Sequence, residues 1–339
     1  MSRRVRVAVL AGGRSSEHEI SLASARSVLD ALDPAKYEAD AIDISPDGQQ
    51  WRLGRVERRE LADRRGVEIV PVPGSNAAVD LRRVDVVMPI LHGPFGEDGT
   101  VQGLLELLDL PYVGAGVAAS ALCMDKDLFK AVLRDRGITV AQNVTLRDGD
   151  PTLHPFPYPV FVKPARLGSS IGISKVHCED ELETAVALAR RHDDKVLIEE
   201  CVPGTEVECG VLGNRDPIAS VVGEIVAHAE WYDFSAKYDE GGMELVIPAR
   251  ISPEADEQVR RVAVESFVAT ECEGMARIDL FVRSDGEVVV NEINTIPGFT
   301  STSVYAKLFE ASGIPYAELL DRLIELALER HERRSGLEY

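Results

Sequence analysis

Residues 274–302 hold the densest set of groups that could do chemistry. Met275-Ala276-Arg277-Ile278-Asp279-Leu280-Phe281-Val282 alternates, so Ala276, Ile278, Leu280 and Val282 face one side of a strand while Arg277 and Asp279 face the other. Asp285-Gly286 is a two-residue hairpin signal. Counting back from that turn pairs Ser284 with Glu287, Asp279 with Glu292, and Arg277 with Asn294. Two carboxylates directly opposite, roughly 5 Å apart at Cβ, repel each other, and a bound cation reverses the sign of that cost. Asp279, Glu292 and Asn294 offer oxygen ligands only, the set suited to Mg²⁺ shared with substrate phosphates. The plainer alternative is a solvated sheet face. Against it stands the apolar run Val288-Val289-Val290 on the partner strand, which reads as central.

A second signal is Lys163-Pro164-Ala165-Arg166-Leu167-Gly168-Ser169-Ser170-Ile171-Gly172. A Gly/Ser-rich turn lets backbone N–H groups close around a phosphate, with Lys163 nearby as a point charge. Residues 168–172 also match the G-x-S-x-G nucleophile elbow of serine hydrolases, which requires a strand, a turn and then a helix. Here Ile173-Ser174-Lys175-Val176 reads as a strand and the next helix starts only near Glu179. Strand–turn–strand favours a flap over phosphate; a merely structural hairpin is the other alternative. No Gly-Lys dipeptide occurs, so there is no Walker A loop, and residues 11–16 do not form G-x-G-x-x-G.

The elements that must position these groups can be read in outline. A strand over 5–10 is broken by Gly12-Gly13, and apolar spacing predicts a helix over 17–32. Further strands are predicted at 38–44 and 84–91, a helix at 101–108, and a last short strand at 111–116. Strands alternating with helices imply a parallel sheet with ligands at the strand C-termini. A second unit begins near Ser120, with a helix over 124–136, a proline-rich loop over 151–159, a hairpin over 160–176, a helix over 179–191 and a strand over 195–200. A third runs from about Pro203 to the end, with two strong strands and a C-terminal helix over 316–330. The domains are thus 1–119, 120–202 and 203–339.

Composition bounds the function. The 339 residues carry 37 Lys and Arg against 57 Asp and Glu, a net charge of −20. That balance argues against general binding to nucleic acid or to an anionic membrane, both of which need a positive field. Arg6 interrupts the first apolar run, leaving no signal-peptide core, and no stretch approaches the ~18 apolar residues of a membrane span. Five widely spaced cysteines without a C-x-x-C pair favour reduced, mostly buried thiols. The expected location is the cytoplasm.

Taken with their order along the chain, these segments resemble the D-alanine–D-alanine ligases of the ATP-grasp superfamily. The matching stretches are Gly12-Gly13-Arg14-Ser15-Ser16-Glu17-His18-Glu19-Ile20-Ser21, Leu91-His92-Gly93-Pro94-Phe95-Gly96-Glu97-Asp98-Gly99-Thr100 and Met124-Asp125-Lys126. Residues 162–172, Tyr232-Asp233-Phe234-Ser235-Ala236-Lys237-Tyr238, Arg277-Ile278-Asp279 and Asn291-Glu292-Ile293-Asn294-Thr295-Ile296-Pro297-Gly298-Phe299-Thr300 complete the set. Ala165 and Leu167 stand where relatives often have Ser and Glu, which removes no catalytic group.

The resemblance implies a three-domain α/β ATP-grasp fold, an N-terminal open parallel sheet followed by two sheets that clasp ATP. It implies ligation of two D-alanines through a D-alanyl phosphate, for peptidoglycan precursor synthesis, with D-serine or D-lactate as alternative acceptors. By the same resemblance Lys126, Lys163 and Lys237 contact ATP, Glu199 the adenine edge and Glu206 the ribose, while Asp279, Glu292 and Asn294 hold two Mg²⁺ (or Mn²⁺). Arg277 and the Gly298 N–H stabilise an oxyanion. Glu17 binds the first ammonium group; read from the residues alone, it could equally be a first-turn carboxylate complementing a helix dipole. His92 is either a loop cap or a second-substrate contact. Ser303, at a helix start, suits the second carboxylate. Ser169 and Tyr238 link to Glu17 when a lid over 231–242 closes; the alternative for that segment is an ordinary surface loop. A homodimer is the expected assembly. Only eight of the basic residues are lysine, and Lys126, Lys163 and Lys237 all fall in these motifs, so an acidic chain keeps its cations local.

Overall fold

The computed structural model describes residues 3–49, 51–54, 67–69, 84–227 and 243–338. The lid segment 231–242, with Lys237 and Tyr238, lies outside the described residues.

The first sheet contains β1 (Val5–Gly12), β2 (Tyr37–Ile44), β3 (Trp51–Gly54), β4 (Val67–Ile69) and β5 (Val86–Pro89), in the order β4-β3-β2-β1-β5. β1 pairs in parallel with β2 and β5, whereas β3 and β4 are antiparallel, so the sheet is parallel only at its centre. Alternation along β1 sorts its side chains between two layers. Val7, Val9 and Ala11 pack with α1 (His18–Ala31), while Ala8 and Leu10 pack with Val101 and Leu105 of α2 (Thr100–Leu107). The 111–116 segment is not a strand but a single parallel bridge, Val87 to Tyr112. Its carbonyls are instead taken by the C-terminal helix, where Arg330 donates to Tyr112 O at 2.7 Å and to Gly114 O.

The helix expected over 124–136 is present as α4 (Lys126–Asp135), and a helix not expected from the sequence, α3 (Val117–Met124), runs directly into it with Asp125 between them. Asp125 caps α4, its carboxylate accepting from the Asp127 and Leu128 N–H groups at 3.2 Å. A four-stranded antiparallel sheet follows, β6 (Asn143–Leu146), β7 (Val160–Pro164), β8 (Ser174–Val176) and β9 (Val196–Glu200), ordered β6-β9-β7-β8. Val160, Val162, Val196 and Ile198 bury one face against α5 (Glu179–Arg190). Phe161, Lys163, Leu197 and Glu199 are left on the other.

The third sheet holds β10 (Thr205–Gly213), β11 (Ile218–Ala219), β12 (Gly223–Ala227), β13 (Met243–Val246), β14 (Gly274–Val282) and β15 (Val288–Asn294). Sequence reading found two of these strands clearly and missed α6 (Pro253–Ala269), whose Ser252 cap and Pro253 start mark it plainly. Val207, Cys209, Val211, Ile278, Leu280, Val288, Val290 and Ile293 pack against α3, α4 and α6. The opposite face of β10, β14 and β15 turns toward the four-stranded sheet. The chain ends in α7 (Val304–Ala311) and α8 (Tyr316–Ser335), and α8 packs Leu319, Leu320 and Leu323 back onto the first sheet's core. Among the described residues no helix is long and apolar enough to cross a membrane.

Candidate active site

On the third sheet the register decides which charges meet. Arg277 lies opposite Asn294 and Asp279 opposite Glu292, the pairs that the turn signal implies. The turn itself differs from the expectation. Arg283, not Ser284, pairs with Glu287, leaving a three-residue connection with Gly286 at φ +87°. A bulge between the Asp279/Glu292 and Leu280/Val290 pairs, where Asn291 is the extra residue, shifts the register back by one. Without it Glu292 would sit on the buried face, because inward parity runs through Val288 and Val290 and then jumps to Ile293.

β10 adds two more carboxylates to this face, Glu206 opposite Phe281 and Glu208 opposite Asp279. Arg277 is the cation among them. Its guanidinium forks onto Asp279 at 2.7 and 2.8 Å and approaches Glu208 at 3.0 Å. Burial works against that charge, but Asp279 and then Glu208 outweigh it and hold the guanidinium well above its ordinary value. The Asn294 amide donates to Asp279 at 3.0 Å.

The facing sheet and α4 supply lysines. Lys163 reaches Glu199 Oε1, and the wholly buried Lys130 of α4 reaches Glu199 Oε2. Burial, and next the charge of Lys126, push Lys163 down to about 7. Burial, then Lys163 and Lys126, also lower Lys130 well below a lysine's usual range. Lys126 crosses the gap, donating to Glu292 at 2.6 Å and to Leu167 O at 2.8 Å. The Gly/Ser turn joins two strands, β7 and β8, not a strand and a helix, so a nucleophile elbow lacks its context. Ser169 and Ser170 both adopt left-handed backbone, φ +55° and +58°, a conformation that costs non-glycine residues of order 1–2 kcal/mol each. The entry to the loop is pinned by Asp193, which accepts from the Arg166 N–H at 2.8 Å and the Lys195 N–H at 3.0 Å.

The third wall comes from the first sheet's loops. Glu17, nine-tenths buried, precedes α1, and a Cβ on Gly93 would stand 3.1 Å from its carboxylate. His92 is buried between Ser24 Oγ at 3.4 Å and Ile296 O at 3.0 Å. A carbonyl only accepts, so His92 Nδ1 carries the proton, and burial lowers the ring's pKa despite the nearby Glu17 charge. His92 thereby braces the 295–303 loop from the first domain. Glu97 does similar work, accepting from Gly93 N–H at 2.6 Å and Ile296 N–H at 3.1 Å. In the braced loop, Gly298 lies with the position of its absent Cβ 3.3 Å from Ser303 Oγ, and Ser303 forms the N-cap of α7.

Lys130, Glu208 and Glu97 are the site groups that sequence reading missed. Lys130 had a signal, since it follows Lys126 by one helical turn. Glu208 had another, sharing the parity of Glu206 on an alternating strand. Chemically the arrangement suits a polyphosphate with divalent cations. Two carboxylates and an amide leave most of an octahedral shell to phosphate oxygens and water, the usual Mg²⁺ pattern. Arg277 and Lys126 already rest on the two carboxylates, which shows that these positions take positive charge. Among the described residues no three His, Cys, Asp or Glu side chains form a fuller metal cage.

Family models for the N-terminus and C-terminus of D-ala D-ala ligase match residues 6–115 and 132–325. A D-alanine–D-alanine ligase of Solibacter usitatus is 48% identical over 336 residues, covering 98% of each chain. The structure of the D-alanine–D-alanine ligase from Coxiella burnetii superposes with a TM-score of 0.88 at 40% identity, over 98% of this chain and 97% of that one. The Bacillus anthracis D-alanine–D-alanine ligase, solved in complex with ATP, gives 0.78 at 28% identity, over 97% and 99%. With these matches spanning the parallel-sheet loops, the flap and the charged hairpin alike, the chain belongs to the D-alanine–D-alanine ligase family.

Proposed function

We propose that this chain joins two D-alanines into D-alanyl-D-alanine at the expense of ATP, supplying peptidoglycan precursors in a bacterial cytoplasm. The observation that carries the reading is the Asp279–Glu292 pair, flanked by Arg277 and Asn294, facing Lys126 and Lys163 across the gap between two sheets. ATP occupies that gap, its phosphates on Lys126, Lys163 and Lys237, its ribose on Glu206 and its base on Glu199. Asp279, Glu292 and Asn294 hold two Mg²⁺ (or Mn²⁺), which when bound neutralise the phosphate charge. We read 1–119 as the domain carrying the first D-alanine site, and 120–202 and 203–339 as the two halves of the nucleotide clasp, in a homodimer.

The first D-alanine's ammonium binds Glu17, and its carboxylate oxygen attacks the γ-phosphorus, releasing ADP and forming D-alanyl phosphate. The second D-alanine, its carboxylate at Ser303 and the α7 N-terminus, attacks the acyl carbon with its amine. Arg277 and the Gly298 N–H take the charge of the resulting oxyanion, and phosphate leaves as the intermediate collapses. Ser169 and Tyr238 connect to Glu17 as 231–242 closes over the intermediate and excludes water. The Lys237-Tyr238 pair favours an amine acceptor over D-lactate.

Phosphate release measured with ATP, Mg²⁺ and D-alanine alone tests this, with D-serine and D-lactate run beside it. D-alanine alone should support full turnover. Release that appears only when D-serine or D-lactate is added would overturn the assignment of the acceptor.

A further inference from the structure

We propose that Lys130 is a positioning residue that fixes the Glu199 carboxylate as the hydrogen-bond acceptor for a 6-amino purine, and thereby sets base selectivity. The proposal rests on the reading of Glu199 as the base contact. Glu199 is 3% exposed and has a lysine on each oxygen, Lys163 on Oε1 and Lys130 on Oε2. The two lysines differ in freedom. Lys163 stands on the sheet face beside the flap, where phosphates draw it away. Lys130 has no exposed surface and extends from the buried side of α4, between Phe129 and Leu133, which anchor that helix in the core. When Lys163 turns to phosphate, Lys130 stays, Glu199 keeps a counter-ion, and Oε1 is freed to accept.

Selectivity follows from the carboxylate's hydrogen-bonding capacity. An ionised carboxylate only accepts, so it matches the amino group at position 6 of adenine and repels the carbonyl oxygen of guanine. A buried carboxylate stripped of its cation takes up a proton. It then also donates, and the distinction between the two purines fades.

The experiment is steady-state kinetics with ATP and with GTP for the wild type, Lys130→Met, Glu199→Gln and the double variant, each also melted thermally. Lys130→Met should raise KM for ATP about tenfold and cut the ATP-to-GTP ratio of kcat/KM about tenfold, with kcat at saturating ATP changed about threefold or less. Adding Glu199→Gln should cost little more, since a neutral amide needs no counter-ion. A lower melting temperature with an unchanged KM and nucleotide ratio in Lys130→Met would reduce Lys130 to a structural role. A changed ratio in Glu199→Gln but not in Lys130→Met removes the proposal while leaving the base contact standing. An unchanged ratio in Glu199→Gln removes both. Should Lys130→Met not fold, Lys130→Gln replaces it, and an unchanged ratio there also overturns the proposal.

Discussion

The two sheets that face each other across the site carry opposite charges and hold them differently. The six-stranded sheet presents Glu206, Glu208, Asp279 and Glu292 around Arg277, each placed by strand register. The four-stranded side presents Lys163 from a strand and Lys130 from α4 on Glu199, with Lys126 of α4 reaching out to Glu292. Register is rigid, because a one-residue slip sends a side chain to the other face. Lys163, Lys126 and a flap with two left-handed serines are adaptable, while Lys130, wholly buried, is the fixed member of this side. The Lys126–Glu292 contact at 2.6 Å joins the halves, so each side lends the other charge before substrate arrives. On the function proposed above, binding would be an exchange of partners, with phosphate taking the place of carboxylate on Lys126 and Lys163, and Asp279 and Glu292 free to hold a divalent cation in place of Arg277 and Lys126.

The most severe way to break this complementarity is on the rigid side. Glu292→Gln keeps the shape and removes the charge that Lys126 and a divalent cation both require. Phosphate release should fall by about 100-fold or more, and calorimetry should find weaker binding of Mn²⁺ with nucleotide. An enzyme of full activity would mean that Glu292 is not a metal ligand.

How much could be read without coordinates also divides along this line. The Arg277–Asn294 and Asp279–Glu292 pairs follow from an Asp-Gly turn and alternation, but they came out right through two compensating errors. The turn is one residue longer than its signal, and the bulge at Asn291 restores the count. The spacing Val288, Val290, Ile293 records that bulge, because the apolar parity breaks there. Glu208 and Lys130 stayed hidden for another reason. Their partners lie 69 residues away in each case, Arg277 for Glu208 and Glu199 for Lys130, and alternation tells which residues share a face without telling what that face meets. α4 was legible to within two residues at its start, whereas α3 before it, Val117–Met124, was not, because its small apolar residues show no clear helical period.

A smaller perturbation sharpens the adaptable side. Asp193, nine-tenths buried, takes the Arg166 and Lys195 N–H groups at the entrance to the flap. Asp193→Ala leaves both donors without that acceptor, a loss of about 1–3 kcal/mol that thermal denaturation can measure. If the flap positions phosphate, KM for ATP should also rise about tenfold while kcat moves less. Equal losses in kcat and kcat/KM would place Asp193's influence in the transition state instead.

The smallest effect belongs to the loop wall that closes the acidic face, where Glu97 braces the 295–303 loop. Glu97 is pushed up to about 8, first by burial and then by the charge of Glu17, against the two backbone N–H bonds that favour its ionised form. A carboxyl raised in this way keeps its proton in the folded protein at a pH where the unfolded chain, at its ordinary 4.5, has lost it. Between those values the native state binds more protons, so stability falls as pH rises from 4.5 to 8 and levels off above. The contribution of one proton is roughly 1.4 kcal/mol per pH unit at its steepest. Melting temperatures across that window should therefore decline in the wild type and decline less steeply in Glu97→Gln. Identical slopes would show that Glu97 ionises normally and that burial beside the Glu17 carboxylate does not hold its proton.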